Sequence, residues 1–294
     1  MATFLELLKA VLFGIVEGIT EWLPISSTGH MILLDEFIKL NVSAAFYDLF
    51  EIVIQLGAIF AVIVLFFHKL NPLSPKKDPA QKKGTWTLWL KVIVAVLPSA
   101  VIGLAFDEEI DAFLRGTPVL STNMNTVVVA AALILYGIAF LFVESTNAKK
   151  EFRIMEVGAV DYKIALLIGV FQCLSIIPGT SRSGSTILGA ILLGVARPVG
   201  AEFSFFLAIP TMLGASALKV LMYGKDVLDG IAAVPTGTEI GVLIVGCIVS
   251  FFVSLLVIKG LMEYVRNHSF KVFGIYRIVL GVLVLGYFII RSVL

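Results

Sequence analysis

Long apolar runs, separated by short polar segments, dominate the chain. Six of them, at about residues 50–67, 87–106, 127–143, 203–223, 240–258 and 272–290, have the length and character of helices that cross a bilayer. Two further apolar regions, about 4–40 and 163–197, are each interrupted by a Pro/Ser/Thr/Gly-rich kernel, Pro24–Gly29 and Pro178–Gly184. Proline removes a backbone donor and clashes with the preceding turn, so each kernel breaks its helix. Irregular backbone survives at membrane depth only where it is buried in protein or lines a wet cavity. Each region therefore predicts a re-entrant helical hairpin. The predicted fold is an all-α polytopic membrane protein, a single integral membrane domain over 1–294. Each half holds one hairpin and three transmembrane helices, repeat one over about 1–145 and repeat two over about 155–294. An odd number of spans turns the second copy over, giving an inverted-topology repeat. Pro24-Ile-Ser-Ser lines up with Pro178-Gly-Thr-Ser, and Leu56-Gly-Ala with Leu213-Gly-Ala at nearly the same offset.

Composition strengthens the membrane reading and narrows the rest. The 294 residues are 59% hydrophobic and 15% charged, far from a soluble average, and the net charge of +1 gives no case for nucleic acid. Cys173 and Cys247 stand far apart in apolar runs, with neither disulfide nor metal spacing. Glu6 precedes Lys9 and no small-residue cleavage site follows, so the N-terminus does not read as a removable leader. Basic residues mark cytoplasmic loops. Lys69, Lys76, Lys77, Lys82 and Lys83 put loop 68–86 inside, and Lys259, Arg266 and Lys271 do the same for 259–271. Lys149, Lys150, Arg153 and Lys163 join them, although four acids balance these. Loops 107–126 and 224–239, with only Arg115 and Lys225 as basic residues, fall outside. The first hairpin and both termini then lie outside, and the second hairpin enters from the cytoplasm.

The stretch Glu17–His30, EGITEWLPISSTGH, concentrates the polar chemistry. Ionisable groups at membrane depth are costly, and a cluster of them marks a functional site by default. Glu17 and Glu21 are four apart and share a helix face. They suit either a divalent cation or a general base; solvated acids at the aqueous rim are the bland alternative. Ser26, Ser27, Thr28 and Gly29 feed a helix N-terminus, an anion site or an ordinary N-cap. His30 adds an imidazole, completing a nucleophile–base–orienter set.

The second kernel supplies Arg182, whose guanidinium is always charged and forks onto phosphate oxygens. Thr180, Ser181, Ser183, Gly184, Ser185 and Thr186 complete a candidate oxyanion cradle. Gly184, Gly189, Ala190 and Gly194 equally serve close helix packing. Asp48, Glu51 and Gln55 are candidates for an entrance. Arg277 is a second candidate phosphate partner, or a snorkelling cation. Because His30, both glutamates and Arg182 lack counterparts in the other half, one composite, asymmetric phosphate site is expected.

EGITEWLPISSTGH and PGTSRSGST closely resemble the two signature regions of the bacterial undecaprenyl-diphosphate phosphatase, or bacitracin-resistance, family. Length, segment order and the stretch AEFSFFLAIP at Ala201–Pro210 agree, so the resemblance covers essentially the whole chain. Trp22 stands where the family often has Phe. The resemblance implies removal of the terminal phosphate of undecaprenyl diphosphate, which recycles the lipid carrier of cell-wall synthesis and confers bacitracin resistance. It also implies stimulation by a divalent cation (Mg or Ca), a plasma-membrane location with the active site facing the periplasm or exterior, and a homodimer.

The expected roles follow. Ser27 is the nucleophile with His30 as base, or His30 is itself the nucleophile. Glu21 and Arg182 complete the catalytic group, and Glu17 with Glu21 holds the metal. Ser26, Thr28, Gly29, Thr180, Ser181, Ser183, Gly184, Thr186 and Arg277 bind the isoprenyl diphosphate among membrane lipids. Inverted repeats with broken helices are also a transporter architecture, so a flippase for the monophosphate carrier is the second class.

Overall fold

The computed structural model describes residues 2–105, 121–147 and 151–293; Arg115, Lys149 and Lys150 and most of loop 107–126 lie outside them. Among the described residues the chain is helical, and its only β feature is an isolated bridge between Ile154 and Val195. The helices are α1 (Ala2–Thr20), α2 (Ser27–Phe37), α3 (Ala44–Val53), α4 (Gln55–Leu65), α5 (Phe67–Leu70) and α6 (Pro79–Ala105). After them come α7 (Ser121–Thr146), α8 (Tyr162–Cys173), α9 (Arg182–Leu192), α10 (Arg197–Leu228), α11 (Gly237–Asn267) and α12 (Lys271–Val293).

Among the described residues six segments are long and apolar enough to cross a membrane: Ala44–Leu65, Pro79–Ala105, Val127–Thr146, Arg197–Leu228, Gly237–Asn267 and Lys271–Arg291. They coincide with the six expected spans, and the chain is a multi-pass helical membrane protein. The first is two helices in line, interrupted at Ile54. Several helices run further than hydropathy indicates. Asp78 and Gln81 cap α6 reciprocally, each side chain accepting from the other's backbone N–H at 2.8 and 3.1 Å. Lys82 and Lys83, expected in a loop, therefore stand on its first turns. The far end of α11 likewise carries Lys259, Glu263 and Arg266. An apolar window reports the hydrocarbon-facing part of a helix and misses its polar ends.

Large apolar side chains such as Leu104, Leu135, Phe142, Leu221 and Leu256 point outward, while the core includes Glu17, Glu21, Ser183, Thr186 and Arg277. That distribution suits hydrocarbon outside and a polar site within.

Close helix contacts rest on small residues. A Cβ added at Gly14 would sit 2.7 Å from the Gly246 carbonyl oxygen, packing α1 on α11. A Cβ at Gly169 would sit 2.1 Å from that of Ala95, packing α8 on α6. Gly137 and Gly274 bring α7 and α12 together in the same way. At the end of α7, Glu144 takes both Arg197 Nε (2.9 Å) and Nη2 (2.5 Å) and the backbone N–H of Phe270 (3.0 Å), tying α7, α10 and α12 together.

Candidate active site

Both kernels break their helices. After α1 the chain turns through Glu21–Ile25, with Ile25 N–H donating to the Leu23 carbonyl at 2.7 Å. Ser26 follows at φ 75°, and its Oγ accepts from Gly29 N–H at 3.3 Å, capping α2. In the second kernel a short 3₁₀ turn (Leu174–Ile176) leads to Pro178 and to Gly179 at φ +88°. Ser181, at φ 74°, then caps α9 by accepting from Gly184 N–H at 3.1 Å. Both serines occupy a backbone region that L-residues rarely enter, and each is held there by its cap. These caps correct the expected register by one residue. Ser26 matches Ser181, and Ser27 matches Arg182 as the first residue of its helix. Gly179 accounts for the shift, since it adds a residue between proline and cap.

The two first residues meet at one carboxylate. Ser27 Oγ donates to Glu21 Oε2 at 2.7 Å, and Arg182 Nη2 donates to Glu21 Oε1 at 2.9 Å. A buried carboxylate is very costly unless its oxygens are paired, and here both are. Arg182 Nη1 is anchored on the Ser204 carbonyl at 3.0 Å, and the guanidinium lies 6.0 Å from the centre of the buried Trp22 ring. Ser183 Oγ donates to the Glu21 carbonyl at 3.0 Å and so stitches the second kernel to the first. Arg182 Nε, Thr180 Oγ1 and Glu17 Oε1 are buried without a hydrogen-bond partner. The first two are what an incoming anion could engage.

The remaining candidates are distributed around this centre. Thr186 is fully buried, its hydroxyl 2.6 Å from Ser204 Oγ, and Ser185 bonds back to the Ser181 carbonyl at 3.0 Å. Thr28 is exposed on the first turn of α2. Asp48 is exposed on α3, beside Lys219 in a small cavity of about 70 Å³ that Asp226 also lines. His30 is turned away from Ser27: Nδ1 lies 2.7 Å from the Ser26 carbonyl and Nε2 lies 2.7 Å from Tyr276 Oη. The group beside the Ser27 hydroxyl is thus Glu21, where sequence spacing suggested His30.

Arg277 does not snorkel. It is fully buried, donating Nη1 to the Pro24 carbonyl at 3.1 Å and Nη2 to those of Gly179 and Thr180 at 2.8 and 3.0 Å. One guanidinium from α12 therefore clamps both breaks. Sequence reasoning missed Tyr276 and Ser204. Tyr276 adjoins Arg277 at the polar start of an apolar helix, a signal that was available; Ser204 is a lone hydroxyl among the phenylalanines Phe203, Phe205 and Phe206 and offered none.

Fold and site together define a polytopic helical membrane protein with a buried Ser–Glu–Arg constellation between two helix N-termini. A family model described as "Bacitracin resistance protein BacA" matches residues 10–283, and the chain belongs to that family. It is 57% identical to "Undecaprenyl-diphosphatase 1" of Clostridioides difficile (strain 630), over 98% of this chain and 99% of the relative. "Undecaprenyl-diphosphatase" of Lactiplantibacillus plantarum is 54% identical over 97% and 98% of the two chains. Its namesake from Enterococcus faecalis is 54% identical over 96% and 97%.

Proposed function

We propose that this protein hydrolyses the terminal phosphate of undecaprenyl diphosphate, releasing phosphate and the monophosphate lipid carrier, and that it thereby supports cell-wall synthesis and bacitracin resistance. Family membership and near full-length identity to named diphosphatases support the activity. The observation that carries the site is the convergence of Ser27 and Arg182 on Glu21.

Ser27 Oγ attacks the terminal phosphorus, and its proton passes to Glu21 Oε2, the atom it already faces. The phosphorus–oxygen bond to the lipid monophosphate breaks, and that monophosphate leaves with the bonding pair. Glu21 releases that proton to solvent. Water then attacks the phosphoserine while Glu21 takes a proton from it, the phosphorus–Oγ bond breaks, Ser27 Oγ recovers a proton from Glu21, and inorganic phosphate leaves. Arg182 and the N–H groups at the starts of α2 and α9 face the charge that builds on the phosphoryl oxygens. Such preorganised electrostatics is usually the largest catalytic contribution. His30 as nucleophile is the rival, and phosphate trapped on its ring in a quenched reaction would replace Ser27 in the scheme.

A divalent cation fits in part. Among the described residues no group of three or more His, Cys, Asp or Glu stands together. Glu17 nevertheless keeps one buried, unpartnered oxygen a turn away from Glu21. Mg²⁺ commonly takes one or two carboxylates and completes its shell with substrate oxygens and water. Glu17, with Glu21, would hold it, and when bound it would neutralise diphosphate charge.

The reading extends to architecture. The matched caps at Ser26 and Ser181, and the matched tight contacts at Gly14 and Gly169, recur at one separation along the chain and favour the inverted repeat. So does packing: α1 on α11 mirrors α8 on α6, and α4 on α11 mirrors α10 on α6. The two broken pairs, α1–α2 and α8–α9, are read as re-entrant hairpins, and the loop charges set the first toward the exterior. A homodimer belongs to the same reading and is testable by mass measurement in detergent.

The test is phosphate release from a C55 isoprenyl diphosphate by purified protein, with and without EDTA, comparing Ser27→Ala and Arg182→Ala. Cation-dependent release abolished in both variants supports the scheme. Robust release from Ser27→Ala removes serine as nucleophile. No release from folded wild type favours carrier transport, for which the paired repeats would be the scaffold.

A further inference from the structure

His30 makes two polar contacts, and their chemistry constrains its proton. The Ser26 carbonyl can only accept, so Nδ1 must carry a hydrogen and donate across the 2.7 Å contact. Nε2 stands 2.7 Å from Tyr276 Oη, a group able to donate or accept. The His30 and Tyr276 rings lie nearly in one plane, 5.7 Å between centres and 3° from parallel, joined edge to edge by that contact, which sets the imidazole plane. The next residue on α12, Arg277, is a fully buried cation that holds both breaks. A second positive charge beside it is unfavourable. His30 then sits as the neutral Nδ1–H tautomer, with its Nε2 lone pair covered by the tyrosine hydroxyl.

We propose that Tyr276 is a positioning residue for the phosphatase site, its hydroxyl fixing the tautomer and ring orientation of His30 so that Nε2 is the one ring atom His30 can offer to a proton or a phosphoryl group. The catalytic part of this inference rests on the proposed diphosphatase activity and on the rival route within it, in which His30 rather than the Ser27–Glu21 pair takes the phosphoryl group; the tautomer part rests on neither. Orientation of a ring nitrogen by the group bonded to it is a general determinant of histidine chemistry. Here the orienting group reaches across the fold, from α12 to α2. It also gives the Tyr276–Arg277 pair a single purpose, in which one side chain sets the imidazole and its neighbour sets the backbone on either side.

The experiment uses the full chain in detergent, labelled with ¹⁵N-histidine, and records the imidazole nitrogens. The protein has three histidines, His30, His68 and His268, and the His30→Gln variant identifies the resonances of interest. Wild type should show His30 protonated on Nδ1 with a hydrogen-bonded, unprotonated Nε2. Tyr276→Phe keeps the aromatic ring and removes the hydroxyl, and should move the Nε2 resonance. An Nε2–H tautomer in wild type, or a Tyr276→Phe spectrum unchanged from wild type, overturns the inference.

The kinetic arm compares Tyr276→Phe and Tyr276→Ala, both checked for folding by thermal unfolding. Misplacement of a catalytic group by about 1 Å costs up to about a hundredfold. The loss is expected in kcat for both variants, with KM little changed. Full kcat in Tyr276→Phe would show that the hydroxyl does nothing and would overturn the positioning role. Absence of turnover in wild type would sink the proposed activity, while the nitrogen spectra would still decide the tautomer.

Discussion

In the first break a single residue, Ile25, separates proline from the capping serine; in the second, Gly179 and Thr180 do so. Both breaks nonetheless deliver a serine at φ close to 75° and start a helix on the following residue. That residue is a neutral hydroxyl in one case and a permanent cation in the other, and both reach Glu21. The difference teaches how a paired scaffold can carry an asymmetric reaction. Backbone geometry at the two breaks is shared, and under the proposed scheme the division into nucleophile and charge stabiliser would come from one side chain at each break. Glu21 itself belongs to one half only, so the carboxylate is what makes the two ends answer to each other.

Removing the shared partner should do the most damage. Glu21→Gln keeps the shape but loses the negative charge that pairs with Arg182 and the base for Ser27, and kcat for phosphate release should fall on the order of 10³-fold. Activity within tenfold of wild type would detach Ser27 and Arg182 from each other. Arg182→Lys keeps a positive charge without the fork, and a loss on the order of 10²-fold is expected from one misplaced electrostatic donor. Equal rates for Lys and Arg would reduce the second break to a point charge.

The backbone side of the comparison gives smaller effects. A Cβ at Gly179 would lie 2.5 Å from the Val129 carbonyl oxygen, at φ +88°. Gly179→Ala should therefore lower stability by about 2 kcal/mol, read as a fall in thermal midpoint. Ile25→Gly, at the non-inserted break, tests whether the contrast is conformational. Smallest of all, Ser26→Ala and Ser181→Ala should each cost about 1 kcal/mol, the worth of an N-cap. Clearly unequal costs in the same unfolding assay would argue against their equivalence.

Sequence exposes the parts of this design that depend on composition over a window. Six spans follow from apolar length, and the two breaks from Pro24 and Pro178 standing in otherwise apolar helices. The residues at the centre, Glu21, Ser27 and Arg182, are conspicuous because charge and hydroxyls are costly there. Their pairing is not legible, because which way Ser27 and His30 face depends on the tight Leu23–Ile25 turn and on the cap at Ser26. The offset between the halves misleads by one residue, since proline is the visible landmark and the cap is the physical one. Arg277 looks like an interfacial cation by position, and only its distance to three carbonyls from two distant segments shows a clamp.

The clamp also bears on how the molecule is made. Chain synthesis inserts α1 and its carboxylates first, whereas the cation that pairs with Glu21 arrives at position 182 and the donor that holds both turns arrives at 277. An acid at membrane depth without its cationic partner is costly. A chain that stops before its final helix carries Glu21, Ser27 and Arg182 but lacks the guanidinium that bonds the carbonyls of both turns.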